Sequence, residues 1–342
     1  MPLDAAPYLV ALDAELRAIV SAPEPVHAPL YNMLRYHLGW AAPDGGALQG
    51  AHGKRLRPLL CLLTCEAVGG AWRRALPAAA AIELIHNFSL IHDDIEDDSA
   101  TRHGRATVWK LWGMAQGINA GDALWSLARL AVYRLGGQGH PADTVLAVAR
   151  RLDETCLALC HGQHLDISFE GRLDVTEQDY GKMIAGKTAA LLSSATATGA
   201  LLGGAAAPVV DALARLGHEL GLAFQMTDDL LGIWGDPAVT GKSAASDLLA
   251  RKMTMPVIHA LRWEAARGEA QLHALYASAK TDDEALAAML ARLEAAGSQA
   301  YVRQQAVAHQ GAMLAALGGL GMENAAAREL ERLALGIVGR ER

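Results

Sequence analysis

Apolar residues recur at three- and four-residue intervals along almost the whole chain, and no stretch alternates convincingly, so the pattern admits helices and leaves little from which to build a sheet. Leucine and alanine dominate while the sequence holds only 3 Phe, a balance of strong helix formers over strand formers. The expected fold class is all-α. Hydrophobic residues make up 52% of the 342, enough for one large core or two modest ones. Capping residues and breakers predict helices over Leu3 to Val20, Val26 to Leu38, from Pro58 to the Gly69-Gly70 pair, and from Pro77 to Asp97. Further helices are predicted over Ala115 to Leu135, Pro141 to Phe169, Thr176 to Ala185, Thr188 to Leu202 and Pro208 to Ile233. Two or three Ala-rich helices with breaks near Gly268 and Gly297 complete the chain. No low-complexity linker interrupts the series, so a single domain over residues 1–342 is the simplest organisation.

The net charge of −7 excludes a general nucleic-acid binder, which presents a basic face to phosphate backbones. Apolar stretches are broken by Arg, Asp or Gly before reaching the roughly 20 residues that span a bilayer, so no stable membrane insertion is expected. The first residues carry Asp4, Asp13 and Glu15 and lack a basic region followed by an apolar core, and a cytoplasmic location is expected. Cys61 and Cys65, then Cys156 and Cys160, fall one turn apart within apolar helices. His161 and His164 follow the second pair and keep a metal site open, but core cysteines fit the spacing better.

Two acidic runs carry the chemistry. His92-Asp93-Asp94-Ile95-Glu96-Asp97-Asp98 ends a helix that is otherwise apolar on its inner face. Asp93 and Asp97 lie one turn apart, about 6 Å along the axis, so their carboxylates leave the same face. At that spacing two anions repel by about 3 kcal/mol at an effective dielectric near ~20, and the negative end of the helix dipole adds to the cost. A compensating cation is required. Hard oxygen donors point to magnesium, which completes its octahedron with phosphate oxygens and water. A solvated acidic helix end is the plainer alternative, and this run alone does not choose. Phe224-Gln225-Met226-Thr227-Asp228-Asp229 repeats the arrangement late in a second apolar helix and tips the balance. Facing each other across a bundle, the two runs could hold a diphosphate through bridging metals. Lys54, Arg55, Arg57, Arg102, Arg105, Lys187, Lys242 and Lys252 stand at helix ends and glycine-marked breaks, where phosphate partners are wanted. No Ser-His-Asp or Cys-His arrangement is legible, so covalent catalysis is not expected.

From Gly53 to about Pro256 the sequence resembles the polyprenyl diphosphate synthases, the trans-isoprenyl family that includes farnesyl and geranylgeranyl diphosphate synthases. Gly53-Lys54-Arg55-Leu56-Arg57-Pro58 is similar to the family's isopentenyl-binding motif, Asp93 to Asp97 to its first Asp-rich motif, and Phe224 to Asp229 to the start of its second. The resemblance implies an isoprenoid synthase helical bundle with a central cavity between two Asp-rich helices, a homodimer, and three Mg2+ ions. It assigns Asp93, Asp97 and Asp228 as metal ligands with Asp94 and Asp229 in support. Arg102, Lys187 and Lys242 would hold the allylic diphosphate with Lys252 nearby, and Lys54, Arg57 and His86 the isopentenyl diphosphate. Thr188 and Gln225 would face the developing carbocation. Two departures stand out: Gly232 replaces the usual Asp at the end of the second motif, where Asp236 could partly compensate, and Arg102-His103 replaces paired arginines, making one isopentenyl-diphosphate contact sensitive to pH. Phe88, with small Ser89 beside it, resembles the pocket floor of geranylgeranyl synthases and favours a twenty-carbon product over the fifteen-carbon one of a farnesyl synthase. The rivals are a terpene cyclase, against which Lys54 to Pro58 argues because a cyclase needs no second diphosphate, and a non-catalytic partner subunit of another synthase.

Overall fold

The computed structural model describes residues 4–48, 55–236, 245–278 and 282–338. The chain forms two compact units. The first comprises Met1–Cys156, Ser194–Ala214 and Met322–Leu330. It is built from α1 (Ala6–Ile19), α2 (Ala28–His37), α3 (Leu56–Ala67), α4 (Leu76–Glu96), a hairpin of β1 (Thr101–Arg102) and β2 (Arg105–Ala106), α5 (Val108–Trp112), α6 (Met114–Tyr133) and the first half of α7 (Ala142–Phe169). Helix α4 is its spine. Pro77 in its first turn costs no hydrogen bond there, and Ala78 to Ile85 are all buried, the all-round burial of a central helix. Asn324 ties in a later segment: its Oδ1 accepts from Ala327 N at 2.9 Å while its Nδ2 donates to Ala67 O at 2.7 Å at the end of α3.

The second unit comprises Leu157–Ser193, Arg215–Gly321 and Glu331–Arg342. It takes the rest of α7, α8 (Glu177–Ile184), the start of α9 (Ala190–Leu202), most of α10 (Ala207–Trp234), α11 (Ser246–Leu249), α12 (Met255–Ala265), α13 (Gln271–Ala277), α14 (Asp283–Ala295), α15 (Ser298–Gly318) and the end of α16 (Ala325–Val338). Its core joins Tyr180, Ile184, Met226, Ile233, Leu248 and Val257. Thr176 starts α8 by accepting from Asp179 N at 3.1 Å, and Asp282 starts α14 by accepting from Ala285 N at 2.9 Å.

The helical reading holds, with four corrections. The basic break after α4 contains a two-residue antiparallel hairpin, Thr101 opposite Ala106 and Arg102 opposite Arg105. His103 and Gly104 at φ 50° and 73° supply the two left-handed residues of its turn. The expected break near Ala185 is instead a π turn, Ala185–Ala189, joining α8 to α9 without interruption. Among the described residues the chain's last stretch holds six helices, α11 to α16, rather than two or three, because α11 and α13 are short and Gly318 to Gly321 separate α15 from α16. Cys61, Cys65 and Cys156 are buried as expected, but Cys160 is exposed.

Candidate active site

In the first unit, α4 delivers the first acidic run at its C-terminal end. Successive helical residues differ by about 100° in direction, so neighbours in this run meet different surroundings. Asp93 is half-buried, Asp94 is 1% exposed and Asp97 stands exposed at the cap. The compensating cation is Arg102: its Nη2 donates to Asp93 Oδ2 at 3.1 Å and its Nε to Asp94 Oδ1 at 2.7 Å. Arg105, its cross-strand partner, turns away and donates to the carbonyls of Tyr36 and Ala41 at 2.9 and 3.3 Å, with its guanidinium over the Tyr36 ring. Arg105 is therefore a fastening for the hairpin. Arg55 is similarly taken up, buried 3.5 Å from Glu83. Burial pushes Asp94 up to about 6 against the pull of Arg102, and its Oδ2 is buried without a hydrogen-bond partner. An orphaned carboxylate oxygen of this kind suits a hard cation or its bound water. Among the described residues no three His, Cys, Asp or Glu groups form a ready cage, so an ion here would draw further ligands from substrate oxygens and water.

Beside this run lies a cationic group. Arg57 Nη1 is 3.1 Å from His86 Nε2. Since guanidinium only donates, Nε2 accepts and the ring proton sits on Nδ1. Burial, then Arg57, His37, Arg102 and His103, hold His86 well below its usual range. Four expected substrate-binding residues, Arg57, His86, Arg102 and His103, thus share one neighbourhood. The sequence reading missed the fifth member, His37, which burial and then Arg102, Arg105 and His103 push down to about 3. Phe88 meets His92 edge-on with centroids 5.9 Å apart, and Ser89 turns its hydroxyl back to His86 O at 2.8 Å.

These neutral imidazoles set a pH dependence. Unfolded histidine takes a proton near about 6.5, while His37 resists protonation until about 3. Their contribution to stability is complete above about pH 6.5 and is lost as the pH falls toward 3. At about pH 5 His37 alone accounts for about 2 kcal/mol. Unfolding free energies from urea titrations at about pH 7 and 5 should therefore diverge by about 2 kcal/mol less in His37→Gln than in wild type. Equal divergence in both proteins would count against a desolvated His37.

In the second unit, the π turn presents Lys187 and Thr188. Three glycines allow it. A Cβ on Gly162 of α7 would stand 2.1 Å from Lys187 N, one on Gly186 2.7 Å from Ala158 O, and one on Gly221 of α10 2.4 Å from Ala189 Cα. The turn is thus gripped by α7 and α10 at backbone contact. Lys187 forms an ion pair with Asp166 on α7. Thr188 Oγ1 donates to Gln225 Oε1 at 2.7 Å, and Gln225 Nε2 donates to Asp229 Oδ1 at 3.1 Å. Asp229, 2% exposed, also accepts from Tyr180 Oη and, at 3.0 Å, from Met255 N. Burial pushes its carboxyl up to about 7 against these three donors. Asp228, its neighbour, is exposed.

Asp229 is therefore a buried hub that orients Gln225, while Asp228 is the carboxylate offered outward. Asp166 and Tyr180 were missed by sequence reasoning. Their partners lie 21 and 49 residues away in sequence, so no local pattern marks them. Lys252 is exposed. Lys54 and Lys242 lie outside the described residues.

Residues 46–293 match the family described as polyprenyl synthetase. A geranylgeranyl diphosphate synthase of Mycobacterium tuberculosis is 46% identical over 276 residues, covering 80% of this chain and 78% of the relative. A (2E,6E)-farnesyl diphosphate synthase of the same species is 38% identical over 337 residues, covering 96% of this chain and 88% of that one. The crystal structure of a geranylgeranyl pyrophosphate synthase from Corynebacterium glutamicum, complexed with isoprenyl diphosphate and magnesium, superposes with a TM-score of 0.83 at 28% identity, covering 100% of both chains.

Proposed function

This chain belongs to the polyprenyl synthetase family, and from that membership we propose that it condenses an allylic diphosphate with isopentenyl diphosphate to give geranylgeranyl diphosphate. It is a prenyltransferase. The observation that carries the twenty-carbon product is the 46% identity to a geranylgeranyl diphosphate synthase. A fifteen-carbon product is the second reading, favoured by the farnesyl synthase matched over 96% of this chain.

In this proposal Asp93, Asp97 and Asp228 bind Mg2+, with Asp94 and Asp229 behind them. The crystallised Corynebacterium relative with magnesium, the orphaned Asp94 oxygen and the exposed Asp228 support the assignment. Bound there, the cations stabilise the charge of departing diphosphate. Arg102 and Lys187, each already oriented by a carboxylate, hold allylic diphosphate oxygens, as does Lys242. Arg57 and neutral His86, its Nδ1–H available as a donor, take the second diphosphate with Lys54. The oxygens of Thr188 and Gln225, fixed by their mutual hydrogen bond, face developing positive charge and cost no reorganisation.

An exposed stripe on α6, Met114, Ile118, Trp125 and Tyr133, supports a homodimer. Among the described residues no helix is long and apolar enough to cross a membrane, in keeping with a cytoplasmic enzyme acting on charged substrates.

The test is a product-length assay with dimethylallyl, geranyl and farnesyl primers, Mg2+ and isopentenyl diphosphate. The wild type should stop at twenty carbons and Phe88→Ala should run longer. A fifteen-carbon stop selects the second reading, and an unchanged product from Phe88→Ala removes that ring from the pocket floor.

A further inference from the structure

The segment that carries Arg57 is seated on α4 at two points. Arg57 meets His86 there, and two residues earlier Arg55 turns inward, its Nη1 3.5 Å from Glu83 Oε1. Glu83 and His86 stand three residues apart on α4, so the two grips are neighbours on one helix surface. Arg55 and Glu83 are both buried, and a buried guanidinium needs its counter-charge held still. Asn87, one turn further along α4, holds it: its Nδ2 donates to Glu83 O at 2.8 Å and to Glu83 Oε1 at 3.1 Å. From the side of α1, Asp13 Oδ1 stands 3.9 Å from Arg55 Nη2, and the guanidinium lies 5.9 Å from the centre of the Trp40 ring.

The backbone shows what this clamp resists. Arg55 is the N-cap of α3 with φ 48° and ψ 39°, a left-handed conformation that a side chain makes costly, and its side chain does not cap the helix. Such strain persists only where the surroundings over-determine it. Released toward extended backbone, Arg55 would re-aim the first residues of α3, Leu56 and Arg57.

We propose that Glu83 is a positioning residue for isopentenyl diphosphate: through Arg55 it locks the entry to α3, so that Arg57 stands aimed beside His86 before the substrate arrives. The inference rests on the assignment of Arg57 and His86 to that substrate, and Glu83 acts on it only through Arg55 and Arg57. A binding group held in place beforehand spends less of its interaction on ordering itself.

The test is steady-state kinetics of the full chain with Mg2+, each diphosphate varied in turn, beside Tm. Glu83→Gln keeps an acceptor for Asn87 Nδ2 and removes the charge that faces Arg55. The KM for isopentenyl diphosphate should rise about tenfold, while that for farnesyl diphosphate stays within about twofold. Arg55→Met combined with Glu83→Met replaces the ion pair by apolar chains of similar length, which should hold Tm within about 3 °C of the wild type. The KM for isopentenyl diphosphate should nonetheless stay raised by at least about fivefold, because filling the space does not restore the aim of Arg57. An equal rise of both KM values in Glu83→Gln overturns the proposal, as does a wild-type KM for isopentenyl diphosphate in either variant. Should Glu83→Gln fail to fold, the double variant decides. If Arg57→Ala leaves the KM for isopentenyl diphosphate unchanged, the substrate assignment itself fails, and this inference with it.

Discussion

Asp228→Asn is expected to lower kcat by about 10³-fold, roughly 4 kcal/mol of transition-state stabilisation, with Tm essentially unchanged. Asp229→Leu should do the reverse in kind: it should lower Tm by about 6 °C, and activity only in proportion to what is lost from Gln225. The contrast follows from one step of helical rotation. Asp228 is exposed and holds up no buried structure, so amidation removes a charge and little else. Asp229 is buried and accepts from Tyr180, Gln225 and Met255, so leucine strands three donors. Each stranded buried donor costs about 1–3 kcal/mol, and leucine's own burial offsets part of the sum, leaving a net loss of about 3 kcal/mol. Steady-state kinetics with Mg2+ and both diphosphates, beside scanning calorimetry, separates the two. If the variants lose stability and activity in the same ratio, the division of labour between the neighbours is wrong.

Gly162→Ala is expected to destabilise the protein by about 3 kcal/mol and to lower kcat/KM as well. A single methyl suffices because the atom it meets, Lys187 N at 2.1 Å, is backbone and has no rotamer by which to withdraw. Relief requires the π turn to move off α7, which parts Lys187 from Asp166. Gly181→Ala is the control. It lies in α8 with nothing within 4 Å of its Cβ position, so alanine should stabilise the helix by about 0.5–1 kcal/mol. Denaturant midpoints for both variants test the argument. A loss below about 1 kcal/mol in Gly162→Ala would mean that the contact is looser than its geometry.

Much of the fold could be read from the chain because helix signals are local. Pro77 in a first turn, Thr176 three residues before Asp179, and apolar residues at every third or fourth position need no tertiary knowledge. The hairpin was missed although His103-Gly104 between two arginines is a turn dipeptide, because strands of two residues carry no alternation. The π turn was missed because the residues that hold it, Gly162 and Gly221, lie 25 and 34 residues from Lys187 in sequence.

The site divides in the same way. Acidic runs and their cations were legible as residue types. Which cation serves structure was not: Arg55 and Arg105 look no different from Arg57 and Arg102 until Glu83 and the carbonyls of Tyr36 and Ala41 appear beside them. The sequence likewise marked Gly232 as a loss of a carboxylate, and only the structure shows that the side chain of Asp247 is packed against it.

The π turn also acts as a phase shifter. It amounts to one extra residue threaded into an otherwise regular helix, and one residue is worth about 100° of azimuth. Deleting any residue from Ala185 to Ala189 could restore ordinary α-helical winding, but everything on one side of the cut would swing by about that angle relative to the other. Either Tyr180 would leave Asp229 or the chain beyond Ala190 would present a different flank to α10. The length of this segment is thereby locked, and adaptation here is confined to exchanging side chains.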